Sequence, residues 1–357
     1  MRLNIIKGLL TSFLLSHFLL GCAQQESDIA SVIPKGERIL SIDLTWAGNS
    51  DFGEAFVLAE SVGMQATNIS IQWDELEPSP GEYTDPDAWL QNANEFFPTQ
   101  NISISLMIGF IDTNNLRLPD YLANKPFDDP EVIERFKRLL DYVFAKIPRL
   151  ELTSLSIGNE IDGYLGTDEK LWQHYTNFFR EVAAYAKTRR TNLVVGSKLG
   201  FGGLTTTAYE LSRELVAASD AVMLTYYPLE ADFSVRNSEV VTDDFAKLVA
   251  LFPDKPIYIL EAGYPSSTLL DSSEEKQAAF VQNVFRAWDE HAARIKLIDF
   301  LWLHDIAPEL VDELGNYYGL NDEKFQAYLA TLGLRTFEGQ DKKAFKALSE
   351  ETKQRAW

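Results

Sequence analysis

The feature that most restricts the fold of this chain is an alternation. From Arg38 onward, short apolar runs of β character alternate with segments of helical spacing, without a break until the C-terminal tail. The runs predict strands over 39–44, 67–73, 102–108, 152–159, 192–198, 221–225, 256–260 and 297–303. The intervening spacing predicts helices over 52–62, 87–97, 130–146, 171–189, 206–218, 243–252 and 273–295, with a last helix over 342–353. Asp129 is the expected N-cap of the third helix. Pro130 is its first residue, where a missing N–H leaves no bond unmade. A strand–helix–strand series gives parallel pairing. An open doubly wound sheet is the rival, but no Gly-x-Gly-x-x-Gly follows a strand and no P-loop is present. Eight repeats fit a closed (β/α)₈ barrel, an α/β TIM barrel of about 250 residues plus insertions. No shift in composition marks a second domain, so one barrel domain is expected over 37–357.

Two of the runs end abruptly. Leu152-Thr153-Ser154-Leu155-Ser156-Ile157-Gly158 closes in Asn159-Glu160, and Pro256-Ile257-Tyr258-Ile259-Leu260 closes in Glu261. A buried strand explains the apolar residues but not an amide and carboxyls at its mouth, which cost free energy unless something uses them. The two glutamates lie 101 positions apart. Only a fold that gathers the ends of distant strands can pair them, and a parallel barrel does so at the face where such barrels carry their chemistry.

Of 357 residues, 46% are hydrophobic and 12% aromatic, which supports a sizeable core and excludes a disordered chain. A net charge of -21 repels phosphate backbones, so no nucleic-acid partner is expected. At the N-terminus, Arg2 and Lys7 precede an apolar run from Leu9 to Leu20, too short for a comfortable span. That run ends Leu19-Leu20-Gly21-Cys22, which resembles a bacterial lipobox, and Cys22 is the only cysteine. The expectation is a lipoprotein signal peptide over 1–21, a lipid on Cys22 and a polar tether over 22–36. The protein would then sit at the cell envelope through a membrane anchor, on the outer membrane because Ala23 rather than Asp follows the cysteine. The mature chain would carry no disulfide or catalytic thiol.

The strand endings resemble clan A glycoside hydrolases, retaining (β/α)₈ enzymes in which Asn-Glu ends strand four and a second Glu ends strand seven. Ser156-Ile157-Gly158-Asn159-Glu160 and Ile259-Leu260-Glu261-Ala262-Gly263-Tyr264-Pro265 match both. The phrase from Trp73 to Tyr83, and Gly333-Leu334-Arg335-Thr336 followed by Lys342-Lys343-Ala344-Phe345, are also similar to phrases of that clan. Different stretches resemble endo-β-1,4-galactanases, β-1,3-glucanases and cellulase or mannanase relatives. The resemblance implies Glu261 as nucleophile and Glu160 as acid/base. It implies Asn159 on the sugar 2-hydroxyl, Tyr227 on the nucleophile with Tyr226 as the competing choice, and Trp302 as the floor of the sugar site. Capping remains open for Asn159, and packing for the aromatic residues. Trp46, Trp73, Asp43 and His304 are weaker candidates for the walls. The chain departs from the clan in having Ile69-Ser70-Ile71-Gln72 where many members carry a strand-two arginine, and Thr225 where a histidine can stand.

The four histidines, His17, His174, His291 and His304, show no metal-ligand spacing, and no Gly-x-Ser-x-Gly elbow is present. No metal and no cofactor are expected. The expected activity is retaining, endo-type hydrolysis of a β-linked glycan by a monomer. An inactive glycan-binding lipoprotein and an envelope transglycosylase are the alternatives.

Overall fold

The computed structural model describes residues 32–49 and 51–357. The expected signal peptide, Cys22 and the tether up to residue 31 lie outside them. Eight parallel strands alternate with helices: β1 Ile39–Ile42, β2 Ala66–Gln72, β3 Ser103–Asp112, β4 Leu152–Asn159, β5 in two pieces Val195–Gly196 and Lys198–Gly200, β6 Val222–Tyr226, β7 Ile257–Ala262 and β8 Ile295–Phe300. The hydrogen-bonded path starts at the first piece of β5, runs through β4, β3, β2, β1, β8, β7 and β6, and ends at the second piece of β5. Only Ser197 separates those two ends, so the sheet comes round on itself and the barrel is nearly closed.

The helices are α1 Phe52–Ser61, α2 Trp89–Gln100, α3 Pro130–Lys146, α4 Glu169–Arg189, α5 Tyr209–Ala218, α6 Val240–Leu251, α7 Glu274–Glu290, α8 Pro308–Tyr318, α9 Glu323–Ala330 and α10 Lys343–Gln354. Asp129 caps α3 as expected, accepting from the Glu131 N–H, and Ser273 caps α7. The second helix starts later than its pattern suggests, because Asp87 and Ala88 adopt φ of 52° and 56° and break the turn. Helices α8 and α9 are an insertion between β8 and the closing helix α10.

The strands divide their residues between two layers. Leu40, Ile42, Leu106, Ile108, Leu155, Ile157, Leu224 and Ile259 belong to the large core between sheet and helices. Met223, Tyr258, Leu260 and Leu297 form a separate small cluster of the alternating residues, filling the inside of the barrel from β6 to β8. The residues alternating with the core on β3 and β4 are mainly serines, Ser105, Ser154 and Ser156, all buried.

The first described residues and the C-terminal residues meet at the face where the strands begin. Lys35 N–H donates to the Arg355 carbonyl at 2.9 Å. Asp289 binds both Arg38 (2.6 Å) and Arg355 (2.7 Å), and all three side chains are at most 3% exposed. The last residues of the expected tether, 32–36, are thus bound to the body, with Arg38 also reaching the Ile33 and Pro34 carbonyls.

Candidate active site

Two local departures from regular strand geometry aim the glutamates. On β7, Leu260 faces the barrel interior, so simple alternation would turn Glu261 outward to the helices. The pairing with β6 slips there: Leu224 lies opposite Ile259, but Thr225 lies opposite Glu261. That bulge inserts one residue and turns Glu261 inward. On β4, Gly158 has φ of 80°, and a Cβ there would lie 2.6 Å from Ile161 Cγ2, so both conformation and space require glycine. Glu160 follows at φ 41°, and Trp302 at the end of β8 has φ 39°. Non-glycine residues in this region cost about 1–3 kcal/mol and cluster at functional sites.

The two carboxyl groups sit in contrasting surroundings. Glu261 accepts from Tyr227 Oη at 2.6 Å on one oxygen and from the Lys198 ammonium on the other. Its side chain keeps 18% exposure, while Lys198 keeps 5%. Burial acts to lower the lysine pKa, but the Glu261 charge and hydrogen bond outweigh it and the net shift is upward, so Lys198 stays charged. Glu160 accepts from Thr225 Oγ1 at 2.5 Å and from Thr113 Oγ1 at 3.0 Å, both neutral donors. Burial first, and then the charge on Glu261, push its pKa up to about 7. One carboxylate is held by a cation and a phenol; the other is poised to keep its proton near neutral pH.

Asn159 Nδ2 donates to Asp112 Oδ1 at 2.8 Å, and its buried Oδ1 has no partner among the described residues. That free acceptor faces the same strand ends and suits a hydroxyl donor. Asp112 also accepts from Tyr317 Oη at 2.8 Å and Gln72 Nε2 at 3.3 Å. Trp302 packs in a cluster with Trp46, Tyr227 and Tyr328, beside the phenol that binds Glu261.

The strand-six tyrosines separate cleanly. Tyr227 reaches Glu261, whereas Tyr226 points the other way and donates to Asp244 at 2.8 Å. Two of the wall candidates do not reach the mouth. Trp73 is wholly buried, packs edge-on against Phe136 and bonds Glu77 at 3.0 Å, because its strand turns it into the helix layer. His304 is wholly buried beneath Arg335, its Nε2 3.3 Å from the guanidinium, and burial lowers its pKa to about 4. Asp43 lies inside the barrel at 4% exposure, accepting from the Thr45 N–H at 2.7 Å, and burial raises its pKa.

Lys198, Thr225, Thr113 and Asp112 are the contacts that motif matching passes over. Lys198 carries the same signal as the glutamates, a charged residue closing an apolar run, Leu193-Val194-Val195-Gly196-Ser197. Thr225, near the end of β6, donates its hydroxyl to Glu160. Among the described residues no cluster of histidine, cysteine and acidic side chains could hold a metal ion.

Comparison with protein-family models and with curated proteins finds no match. Solved structures do match. A GH5_18 variant from Bifidobacterium longum subsp. longum ATCC 55813, in complex with Manβ1-4GlcNAc, superposes with a TM-score of 0.68 at 13% identity, over 89% of this chain and 78% of that one. An exo-β-1,4-mannosidase from Opitutaceae bacterium strain TAV5 gives 0.69 at 15% identity, over 88% of this chain and 59% of that one. A family 39 glycoside hydrolase from the gut symbiont Bacteroides cellulosilyticus WH2 gives 0.62 at 15% identity, over 90% of this chain and 64% of that one. At these identities the likeness concerns the backbone: this chain has the (β/α)₈ barrel fold of those glycoside hydrolases.

Proposed function

We propose that this protein is a glycoside hydrolase that cleaves a β-linked glycan with retention, Glu261 attacking the anomeric carbon and Glu160 serving as acid and then base. The observation that carries this reading is the contrast between the two carboxyl groups gathered at the same end of the barrel, at the ends of β4 and β7. A retaining glycosidase needs one ionised carboxylate as nucleophile and one carboxyl protonated near neutral pH, about 5 Å apart. Glu261, bound by Lys198 and Tyr227, suits the first role, and Glu160, with a pKa near 7, suits the second. When Glu261 becomes an ester its charge disappears, and the repulsion that raises the Glu160 pKa goes with it. Glu160 can then take a proton from water. Asn159, with its free Oδ1, is placed for a sugar hydroxyl, and Trp302 for an apolar sugar face. An inactive binding module has no use for two carboxyls that repel each other.

The test is a screen of the protein lacking residues 1–22 on β-mannan, β-galactan, β-1,3-glucan, xylan and cellulose oligosaccharides, with NMR of the first product. β-Linked mannosides come first because two of the matched structures are named for a β-mannosidase or its disaccharide ligand. The β-anomer should appear first, and Glu261→Ala should abolish turnover while the fold persists. An α-anomer first, or substantial activity in Glu261→Ala, would sink the assignment. Lengthened rather than hydrolysed chains would mark the transglycosylase alternative.

The lipobox at Cys22 supports attachment of the enzyme to the cell envelope by a lipid. Cys22→Ser should move the full chain from the membrane pellet to the soluble fraction; continued pelleting would place the anchor elsewhere.

A further inference from the structure

We propose that the insertion formed by α8 and α9 fences one side of the active site, so that the enzyme removes sugars from chain ends, with Tyr317 as the residue that fixes the fence. This rests on the hydrolase reading above and departs from the endo action that sequence resemblance suggests.

The insertion leaves the barrel after β8 and is tied down at two other places on the mouth. One tie is the β3 end. Tyr317 Oη donates to Asp112 at 2.8 Å and accepts from Arg117 at 3.0 Å, and Asn115 Nδ2 donates to the Tyr317 carbonyl at 3.1 Å. The other is the loop after β6. There Lys324 pairs with Asp232, Phe325 packs 5.0 Å from Phe233, and Tyr328 meets the Tyr227 ring edge-on at 5.7 Å. In ring order β8 is three strands from β3 and two from β6. A segment fastened at all three is a chord across the mouth, not a loop along its rim. It also lies beside the glutamates, since Tyr328 packs edge-on against Tyr227, the phenol that binds Glu261 at 2.6 Å.

An enzyme that cuts within a polymer needs a cleft open at both ends, since the glycan must lie through it. A fence closes one end and admits only a terminus. The fence is tied to the chemistry through one carboxylate, because Asp112 binds both Tyr317 and Asn159. Tyr317 therefore sets which part of a glycan reaches Asn159, and is a specificity-determining position.

The experiment uses hexasaccharides labelled at the reducing end, of each β-linked glycan class in the screen, with mass spectrometry of early products. The expected result is stepwise shortening by one sugar unit, with free monosaccharide accumulating from the start. Early products of scattered length, with the β-anomer still formed first, would overturn the fence and leave the retaining hydrolase intact. Silence on every class and on aryl β-glycosides would remove the hydrolase reading, and this one with it. Tyr317→Phe keeps the ring and loses both hydroxyl links; combined with Asn115→Ala it loosens that end of the fence, leaving the Asn114 Nδ2 bond to the Tyr318 carbonyl at 2.9 Å. The ratio of internal to terminal cuts should rise at least tenfold in the double variant, to a lesser extent in Tyr317→Phe alone. An unchanged ratio in both variants, each folded by circular dichroism, would overturn the role of Tyr317.

Discussion

At the scale of single residues, the site turns on how one cation is shared. Lys198 touches Glu261 and its charge also lowers the pKa of Glu160, against the larger upward push of burial and of Glu261. In the proposed reaction the protonated form of Glu160 is the active one, so with its pKa near 7 activity should fall as pH rises through about 7. Removing the lysine charge raises that pKa further, so Lys198→Met should carry the alkaline limb of kcat/KM to higher pH. A second effect follows from charge flow. In the proposed reaction the Glu261 carboxylate is the leaving group when water releases the sugar, and the ammonium would stabilise it as its charge returns. A hydrogen bond to a charged group is worth roughly 1.5–3 kcal/mol, so deglycosylation in Lys198→Met should slow roughly 10–100-fold. With an activated aryl glycoside the variant should then show a pre-steady-state burst of one phenol per enzyme. A limb that stays in place or moves to lower pH, together with no burst, would mean that Lys198 only fills space. Lys198 on β5 is the cation that stands at Glu261.

At the scale of elements, the register of β7 and the kink of β4 decide whether the glutamates meet, and these differ in how far the sequence reveals them. The kink is legible: glycine before Asn-Glu at the end of an apolar run signals a backbone that a side chain would obstruct, and Gly158 has that conformation. Strands β3, β4 and β6 fall close to their apolar runs because an inside and an outside layer leave a period of two in the sequence. The β7 bulge is not legible. Leu260 and Glu261 read as consecutive residues of one strand, and only pairing with Thr225 shows that both face inward. Trp73 is open in the sequence for the same reason: a tryptophan at a strand end suits a sugar wall or a core, and the turn after β2 selects the core by swinging the ring onto Phe136 and Phe110. The proposed fence is not legible in sequence, where no helix is predicted between residues 303 and 342. Its function lies in where Tyr317 and Tyr328 land, on residues 205 positions away for the Asp112 contact.

At the scale of the whole molecule, a barrel must hold its first and last strands together, and the weakest seam on the ring is between β1 and β2, with the single registered pair Ser41–Ala66. The contacts between the first described residues and the C-terminal residues reinforce that region from below. Arg38 lies between the Trp288 and Trp357 rings, at 5.2 and 5.0 Å from their centroids, and Trp357 Nε1 reaches Gln65 at 2.9 Å just before β2. Asp289 is the counter-ion that Arg38 and Arg355 share, and Arg355 has a second one in Glu351 at 2.5 Å. Burial works to lower the Arg38 pKa, so the guanidinium depends on that carboxylate. Asp289→Ala leaves the buried Arg38 guanidinium without a carboxylate while Arg355 keeps Glu351, and breaking a buried pair in this way costs roughly 3–5 kcal/mol. For a domain of this size that corresponds to a Tm lower by roughly 10 °C. Because the cluster lies at the opposite face from Glu160 and Glu261, kcat/KM at a temperature where the variant is folded should stay within about twofold of the parent. Thermal melts and initial rates on the same preparation separate the two: an unchanged Tm would mean that solvent or rearrangement satisfies the arginines. A large loss of rate with the fold intact would mean that the seam between β1 and β2 transmits strain to the mouth.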